Sequence, residues 1–276
     1  MKIGIIGLGL IGGSMAMSIR RHTDHAVFGY DIDPQVMLRA RAVEAIHDEL
    51  TDDMLPGCDI VLVCLFPQLC ADWIIAHADR IGKGALVVDC AGVKRCVCDQ
   101  VVPVASAHDW TYIGGHPMAG REFSGFAAAR ANLFENASML LCPPSDAPIE
   151  ARERAKAFFL EAGFKLVRFC TPDAHDQMIA YTSQLAHIVS GAYVKNPLAQ
   201  DHKGFSAGSF LDMTRVARMN EVMWTELFLE NRDLLLPALD DLILRLNEYR
   251  DALAAGDPDG LLPVLREGRE KKEALD

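Results

Sequence analysis

Aromatic residues and cysteine are both scarce in this chain: 7% of its 276 residues are Phe, Trp or Tyr, and 8 are Cys. So few cysteines over such a length exclude a disulfide-stapled scaffold. Most lie inside apolar runs, Cys64 within 60–66 and Cys142 within 139–142, and read as small buried hydrophobes. Cys96-Val97-Cys98 has neither a second pair nor a histidine at ligand spacing, so no metal site is expected. Positive charge is short as well. With 27 basic against 38 acidic residues the net charge is −11, which argues against nucleic acid or an anionic membrane surface as the main partner. An anionic ligand must instead meet locally placed cations or backbone N–H groups. No run approaches the roughly 18 consecutive apolar residues of a membrane span. Lys2 is followed at once by a glycine-punctuated strand pattern with no secretory design. The expected location is the cytoplasm.

What is abundant is apolar surface: 50% of the residues, enough to core one large domain or two modest ones. In the first half, short apolar runs alternate with amphipathic stretches, the pattern of a parallel sheet wrapped by helices. The strand candidates are 3–7, 26–31, 59–65, 85–89, 112–114, 138–142 and 165–169; helical spacing covers 10–21, 34–45, 68–80, 93–104 and 149–162. The pattern changes at Thr171-Pro172-Asp173, where Thr171 can cap a helix with Pro172 at its first position and strand-like runs then stop. Residues 173–195 predict one helix of about 35 Å, stopped by Asn196-Pro197. Beyond it, 204–208 reads as a loop, 211–218 as a short helix and 221–254 as one long amphipathic helix. Helices of this length with so little chain between them need a second subunit to cover their apolar stripes. The predicted class is α/β: a doubly wound, mainly parallel sheet over 1–171, followed by an all-helical domain over 172–276.

Gly7-Leu8-Gly9-Leu10-Ile11-Gly12 follows a predicted strand and opens a predicted helix, the context a dinucleotide fingerprint requires, and marks the first domain as Rossmann-type. Gly7 permits the tight turn, Gly9 lets the backbone approach a pyrophosphate, and Gly12 lets helix and strand pack closely. The helix N-terminus supplies unpaired N–H groups and a positive dipole end. Asp31, at the end of the next strand, is placed to accept hydrogen bonds from the adenosine ribose hydroxyls. A carboxylate there repels a 2′-phosphate, so NAD is expected over NADP. Arg39 and Arg41 could greet such a phosphate, but lie well inside the next helix and read as solvated.

Asp89-Cys90-Ala91-Gly92-Val93-Lys94 and Gly114-Gly115-His116-Pro117-Met118-Ala119-Gly120 stand at the ends of the fourth and fifth predicted strands, the edge where open parallel sheets bind ligands. His116, between glycines and Pro117, is predicted on a short loop and not on an amphipathic face. An imidazole with an ordinary pKa near 6.5 is neutral enough at pH 7 to accept a hydroxyl proton.

In these segments the sequence resembles the prephenate/arogenate dehydrogenase family of tyrosine biosynthesis. The resemblance spans nearly the whole chain: 7–14 with Gly29-Tyr30-Asp31, 89–94, His116-Pro117-Met118-Ala119-Gly120 with Glu122 and Ser124-Gly125, 183–187, and Asp212-Met213-Thr214-Arg215. It implies that the helical half is a dimerisation domain giving a homodimer, with the substrate, prephenate or arogenate, in the cleft between the halves. It further implies hydride transfer from the ring C4 to NAD, proton transfer from the C4 hydroxyl to His116, and loss of the ring carboxylate as CO2 to give 4-hydroxyphenylpyruvate. By the same resemblance Arg215 is the carboxylate-binding arginine and His187 a second site histidine that holds the substrate side chain. Ser183, four residues before His187, and Lys94 join the substrate contacts; Arg121, Arg130 and Arg218 are secondary candidates. Two departures stand out. Gly92 occupies the place of a serine in many members, and Gln184 that of a histidine in some.

The competing readings are an arogenate dehydrogenase giving tyrosine directly, a β-hydroxyacid-type dehydrogenase, and a non-catalytic dinucleotide sensor. The second would need a lysine on the first long helix of the second domain, yet Lys195 stands at that helix's far end beside Pro197. Histidines 116 and 187 with Arg215 speak against the third.

Overall fold

The computed structural model describes residues 1–121 and 123–275; Glu122, part of the motif noted above, lies outside the described residues. Eight strands form one sheet: β1 Lys2–Ile6, β2 Ala26–Tyr30, β3 Asp48–Glu49, β4 Ile60–Val63, β5 Leu86–Asp89, β6 Thr111–Pro117, β7 Ser138–Cys142 and β8 Leu166–Phe169. Their order is β3-β2-β1-β4-β5-β6-β7-β8, and every pairing is parallel except β6 with β7. From β1 the chain winds outward one way to β2 and the other way from β4, so the crevice for a ligand opens at the carboxyl ends of β1 and β4. Helices α1 Leu10–His22, α2 Pro34–Ala42, α3 Pro67–Ala76, α4 Arg95–Ser106 and α5 Ile149–Glu161 cover the two faces.

Both faces of the central strands are buried, and their residues alternate between two cores. Ile3, Ile5, Ile60, Leu62, Leu86 and Val88 point into one core, with Met15 and Ile19 of α1 and Phe158 and Phe159 of α5. Ile6, Val61, Val63 and Val87 point into the other, with Cys70 and Ile74 of α3 and Val97 and Val101 of α4. A strand with both faces covered needs no polar alternation, which is why these segments read as continuous apolar runs.

Two details of the sheet differ from expectation. At two residues, β3 is too short to leave a periodic signal. β6 runs past 112–114 to Pro117, pairing antiparallel with β7 from Gly114↔Cys142 to Pro117↔Met139, so His116 lies in a strand and not on a loop.

The helical half comprises α6 Pro172–Ile179, a π-helical turn Ala180–Leu185, α7 Ala186–Tyr193, a 3-10 turn Pro197–Asp201, α8 Gly208–Thr214, a second 3-10 turn Arg215–Ala217, α9 Glu221–Glu230, α10 Arg232–Ala255 and α11 Pro258–Glu273. The single helix expected over 173–195 is therefore interrupted by the π turn, and the one over 221–254 breaks at Asn231. α11 lies beyond the last helix that the apolar spacing predicts. Gly256 stops α10 in the left-handed conformation at φ 62°, and Asp257 caps α11 with Pro258 at its first position. Among the described residues no helix is long and apolar enough to cross a membrane.

Candidate active site

The turn after β1 is shaped by its glycines. Gly7 adopts φ 80°, and a Cβ at Gly12 would lie 1.8 Å from the Gly7 carbonyl oxygen, so neither tolerates a side chain. A Cβ at Gly9 would meet nothing within 4 Å, leaving open space over the start of α1. The Asp31 carboxylate accepts the Leu8 N–H (2.8 Å) and the Asp33 N–H (3.0 Å), which holds it beside the turn and its continuation through Leu10 and Ile11. An open floor, exposed helix N–H groups and a fixed carboxylate fit the two ends of a dinucleotide. Arg41 is engaged elsewhere, with Asp48 (3.0 Å) and Glu49 (3.1 Å).

Across the carboxyl edge, His116 Nδ1 lies 2.9 Å from Nε2 of His175, and His175 Nδ1 lies 2.7 Å from Oδ1 of Asp176. The Asp176 carboxylate also accepts the backbone N–H of Lys94 (2.7 Å) and of Arg95 (2.9 Å), the N-terminus of α4. Burial pushes this carboxyl up, but the hydrogen bonds from His175 and the α4 backbone outweigh it, and its pKa falls below the ordinary value. An ionised carboxylate can only accept, so His175 must donate from Nδ1 and accept at Nε2. His116 therefore carries its proton on Nδ1, and its Nε2 keeps a free lone pair. Burial, then His175 and Lys94, hold His116 well below the usual histidine pKa. Burial also lowers His175, against the pull of Asp176. The result is a neutral ring presenting a bare nitrogen.

That nitrogen faces the second half. A Cβ on Gly92 would lie 3.9 Å from His116 Nε2 and 3.2 Å from Cδ2 of Leu227 on α9. One turn earlier on the same face of α9, the Trp224 ring lies against His187, tilted by 33° with centroids 3.9 Å apart. A single helix face thus adjoins both histidines. His187 Nδ1 donates to the Ser183 carbonyl (2.8 Å), and the turn carrying Arg215 packs on α7. Burial and, after it, the Arg215 guanidinium keep His187 below its ordinary pKa despite that carbonyl.

A model of the prephenate dehydrogenase nucleotide-binding domain matches residues 15–168, and one of the prephenate dehydrogenase dimerization domain matches 171–267. The chain belongs to the prephenate dehydrogenase family. It is 32% identical to the cyclohexadienyl dehydrogenase of Zymomonas mobilis over 99% of this chain and 95% of that protein. It is 28% identical to the prephenate dehydrogenase of Bacillus subtilis over 98% and 75%. Among solved structures, the Aquifex aeolicus prephenate dehydrogenase in complex with hydroxyphenyl propionate and NAD+ superimposes with a TM-score of 0.87, at 25% identity, over 100% and 98% of the two chains.

Within this prephenate dehydrogenase family chain, one expected substrate contact needs correcting. The Lys94 ammonium does not face the cleft: it is ion-paired with Asp89, and both side chains are fully buried. Burial alone would lower the Lys94 pKa, but Asp89 more than reverses that, and the ammonium stays charged. Asp89 further accepts from Tyr112 Oη (2.7 Å) and from the N–H groups of Gly115 (3.2 Å) and Ala91 (3.0 Å), fixing β5 against β6 beneath His116. Ser183 serves His187 through its carbonyl. Gln184 is buried and donates to the Leu227 carbonyl (2.8 Å), so it supports the α9 wall from behind. Of the secondary arginines, Arg121 and Arg130 bond to the carbonyls of Ala128 (3.0 Å) and Ala129 (3.1 Å), and Arg218 lies over the Phe123 ring at 5.2 Å.

The residues that sequence reasoning missed are His175 and Asp176. They sit side by side near the start of α6, a pattern with no distinguishing periodicity. Their part emerges only because β8 delivers α6 to the edge where His116 and the α4 N-terminus meet.

Proposed function

We propose that this protein oxidatively decarboxylates prephenate to 4-hydroxyphenylpyruvate with NAD, in the cytoplasm, as a homodimer joined through the helical domain, 172–276, with the nucleotide held by 1–171. The observation that carries this reading is the hydrogen-bonded line from His116 Nδ1 through His175 to the Asp176 carboxylate, which assigns the His116 proton to Nδ1 and leaves Nε2 to act as the base. Held by the turn Gly7 to Gly12, NAD would supply the hydride acceptor, and the Asp31 carboxylate favours it over a 2′-phosphorylated cofactor. His116 Nε2 accepts the C4 hydroxyl proton as the carbonyl develops. The imidazolium so formed is stabilised by the buried carboxylate behind His175, the arrangement in which a base is both oriented and electrostatically supported. Arg215 holds a substrate carboxylate, which its planar fork can meet bidentately. His187 and Trp224 bound the substrate side chain, and Leu227, facing Gly92 beside the base, helps keep water from it. Support for the homodimer comes from the matched dimerization domain and from apolar residues left exposed on the helical half, among them Phe205 at 94% and Leu253 at 65%.

Absorbance at 340 nm tests the proposal, with prephenate and arogenate each offered with NAD and with NADP. The expected result is reduction of NAD with prephenate as substrate; none with that pair sinks the reading. His116→Asn should lower turnover by about 10² to 10⁴, the usual worth of a general base, while NAD binding measured by fluorescence titration stays near that of the wild type.

A further inference from the structure

We propose that Cys142 and Cys170 are a thiol–disulfide site, closed by a low-molecular-weight disulfide such as oxidised glutathione and reopened by thiols. Cys142 ends β7 and Cys170 follows β8, one step beyond the paired residues Leu141 and Phe169, and the Cys170 N–H donates to the Leu141 carbonyl (3.0 Å). Their sulfurs lie 3.6 Å apart. Neighbouring strands run about 4.8 Å apart, inside the roughly 4.4–6.8 Å between Cα atoms that a disulfide spans. Closure to a bond of about 2.05 Å asks for some 1.5 Å of movement. Cys142 is buried and Cys170 half-buried; Pro144 and Pro172, each two residues along the chain from one of them, line an open cleft of about 310 Å3 together with Cys98, Asp99 and Asp146.

The two thiols are unequal in the way such exchange requires. The hydrogen bond from Cys142, helped by Arg168 and opposed by burial, lowers Cys170 to about 7, whereas that same bond and burial push Cys142 up. The Cys58, Cys70, Cys96 and Cys98 thiols are all raised by burial. Cys170 is also the sulfur of the two that an external disulfide can reach, being half-buried where Cys142 is buried, and its thiolate attacks. Its sulfur bonds to one sulfur of glutathione disulfide, the S–S bond breaks, and one glutathione thiolate leaves. The mixed disulfide removes the charge that had held the Cys142 proton. Cys142 then yields that proton to the departed thiolate, attacks the Cys170 sulfur and displaces the second glutathione. Two protein thiols lose two electrons and two protons, and one glutathione disulfide becomes two glutathiones.

Cys170 immediately precedes Thr171, whose hydroxyl caps α6 by accepting from the Ala174 N–H (3.2 Å) and whose carbonyl accepts the His175 N–H (2.9 Å). Movement at Cys170 therefore reaches His175 and Asp176, and closing the pair lowers turnover. That last consequence rests on the activity proposed above; the disulfide does not.

The full chain is incubated with increasing ratios of oxidised to reduced glutathione, alkylated, and digested without reduction for mass spectrometry. The expected product is a peptide pair joined through Cys142 and Cys170, lighter by two hydrogens and formed before any other link. Cys142→Ser should stop at a glutathione adduct on Cys170, and Cys170→Ser should give neither. Turnover should fall several-fold in the linked wild type and return with dithiothreitol, while Cys170→Ser is indifferent to the oxidant. Separate alkylation of the two cysteines under full oxidation, or a different pair linking first, overturns the site. A complete link with unchanged turnover overturns its coupling to His175. Absence of turnover in the reduced protein would count against the activity and leave the mapped link standing.

Discussion

Most histidines in proteins hold a proton for part of the time near neutrality, but His116 is surrounded by groups that discourage it: a low-polarity setting, a second imidazole and the Lys94 ammonium. A base must be neutral to act, so its activity is present above its pKa and lost as pH falls through it. The kcat/KM profile should accordingly stay level through neutrality and fall only below about 6.5, the ordinary histidine value. Because His116 and His175 share a hydrogen bond, that limb belongs to the pair. A limb centred above 6.5 would show that neither neighbour acts as described. Asp176→Asn makes a sharper test. An amide can donate to His175 Nδ1, which reverses both tautomers and places a proton on His116 Nε2; kcat should drop about 10²-fold or more, with NAD affinity little changed. Unchanged kcat would remove Asp176 from the relay. The sequence could point to His116, through its glycine-rich surroundings and the family resemblance, yet not to its partners, because a hydrogen bond between residues 116 and 175 depends on where β6 ends and α6 begins.

The helices of the second half show the same limit differently. The apolar positions 227, 234, 235, 239 and 242 continue through 231 without a change of phase, so one helix over 221–254 is what their spacing implies. The chain instead breaks where Asn231 is drawn inward. Its amide donates to the Asp176 carbonyl (2.9 Å) and to Gln184 Oε1 (2.8 Å), and its oxygen accepts from Arg95 (3.0 Å), which also clasps Asp233. The π turn over Ala180–Leu185 is what brings Gln184 to this junction. Asn231→Ala leaves three polar groups short of a partner, two of them in buried bonds. It should destabilise the fold by about 1–3 kcal/mol, read as a lower urea midpoint at unchanged slope. A midpoint within error of the wild type would mean that water replaces the amide at no cost.

Taken together, the buried histidines make the stability of the molecule depend on pH. His116, His175 and His187 all have folded pKa values below the ordinary one. Below about 6.5 the unfolded chain binds protons that the folded chain refuses, so stability rises with pH through that window and is lost as pH falls. Urea unfolding at pH 7.5 and 5.5 should show the lower value at 5.5, and His175→Gln should narrow the difference; equal values would contradict the shifts. The order of short apolar runs and amphipathic stretches settled that the first half is a doubly wound sheet, since strands buried on both faces and helices buried on one leave distinct periodicities. Gly7 and Gly12 likewise announced the tight turn after β1, because the demand for a missing Cβ is local. Lys94 shows where this stops: its place beside the cleft in the sequence suggested a substrate contact, but folding turned it onto Asp89 in the core. Periodicity and backbone shape are properties of neighbours along the chain, and the sequence states them directly. Which polar group meets which, and so which nitrogen of His116 is left bare, depends on pairs dozens of residues apart, and only the packed structure decides it.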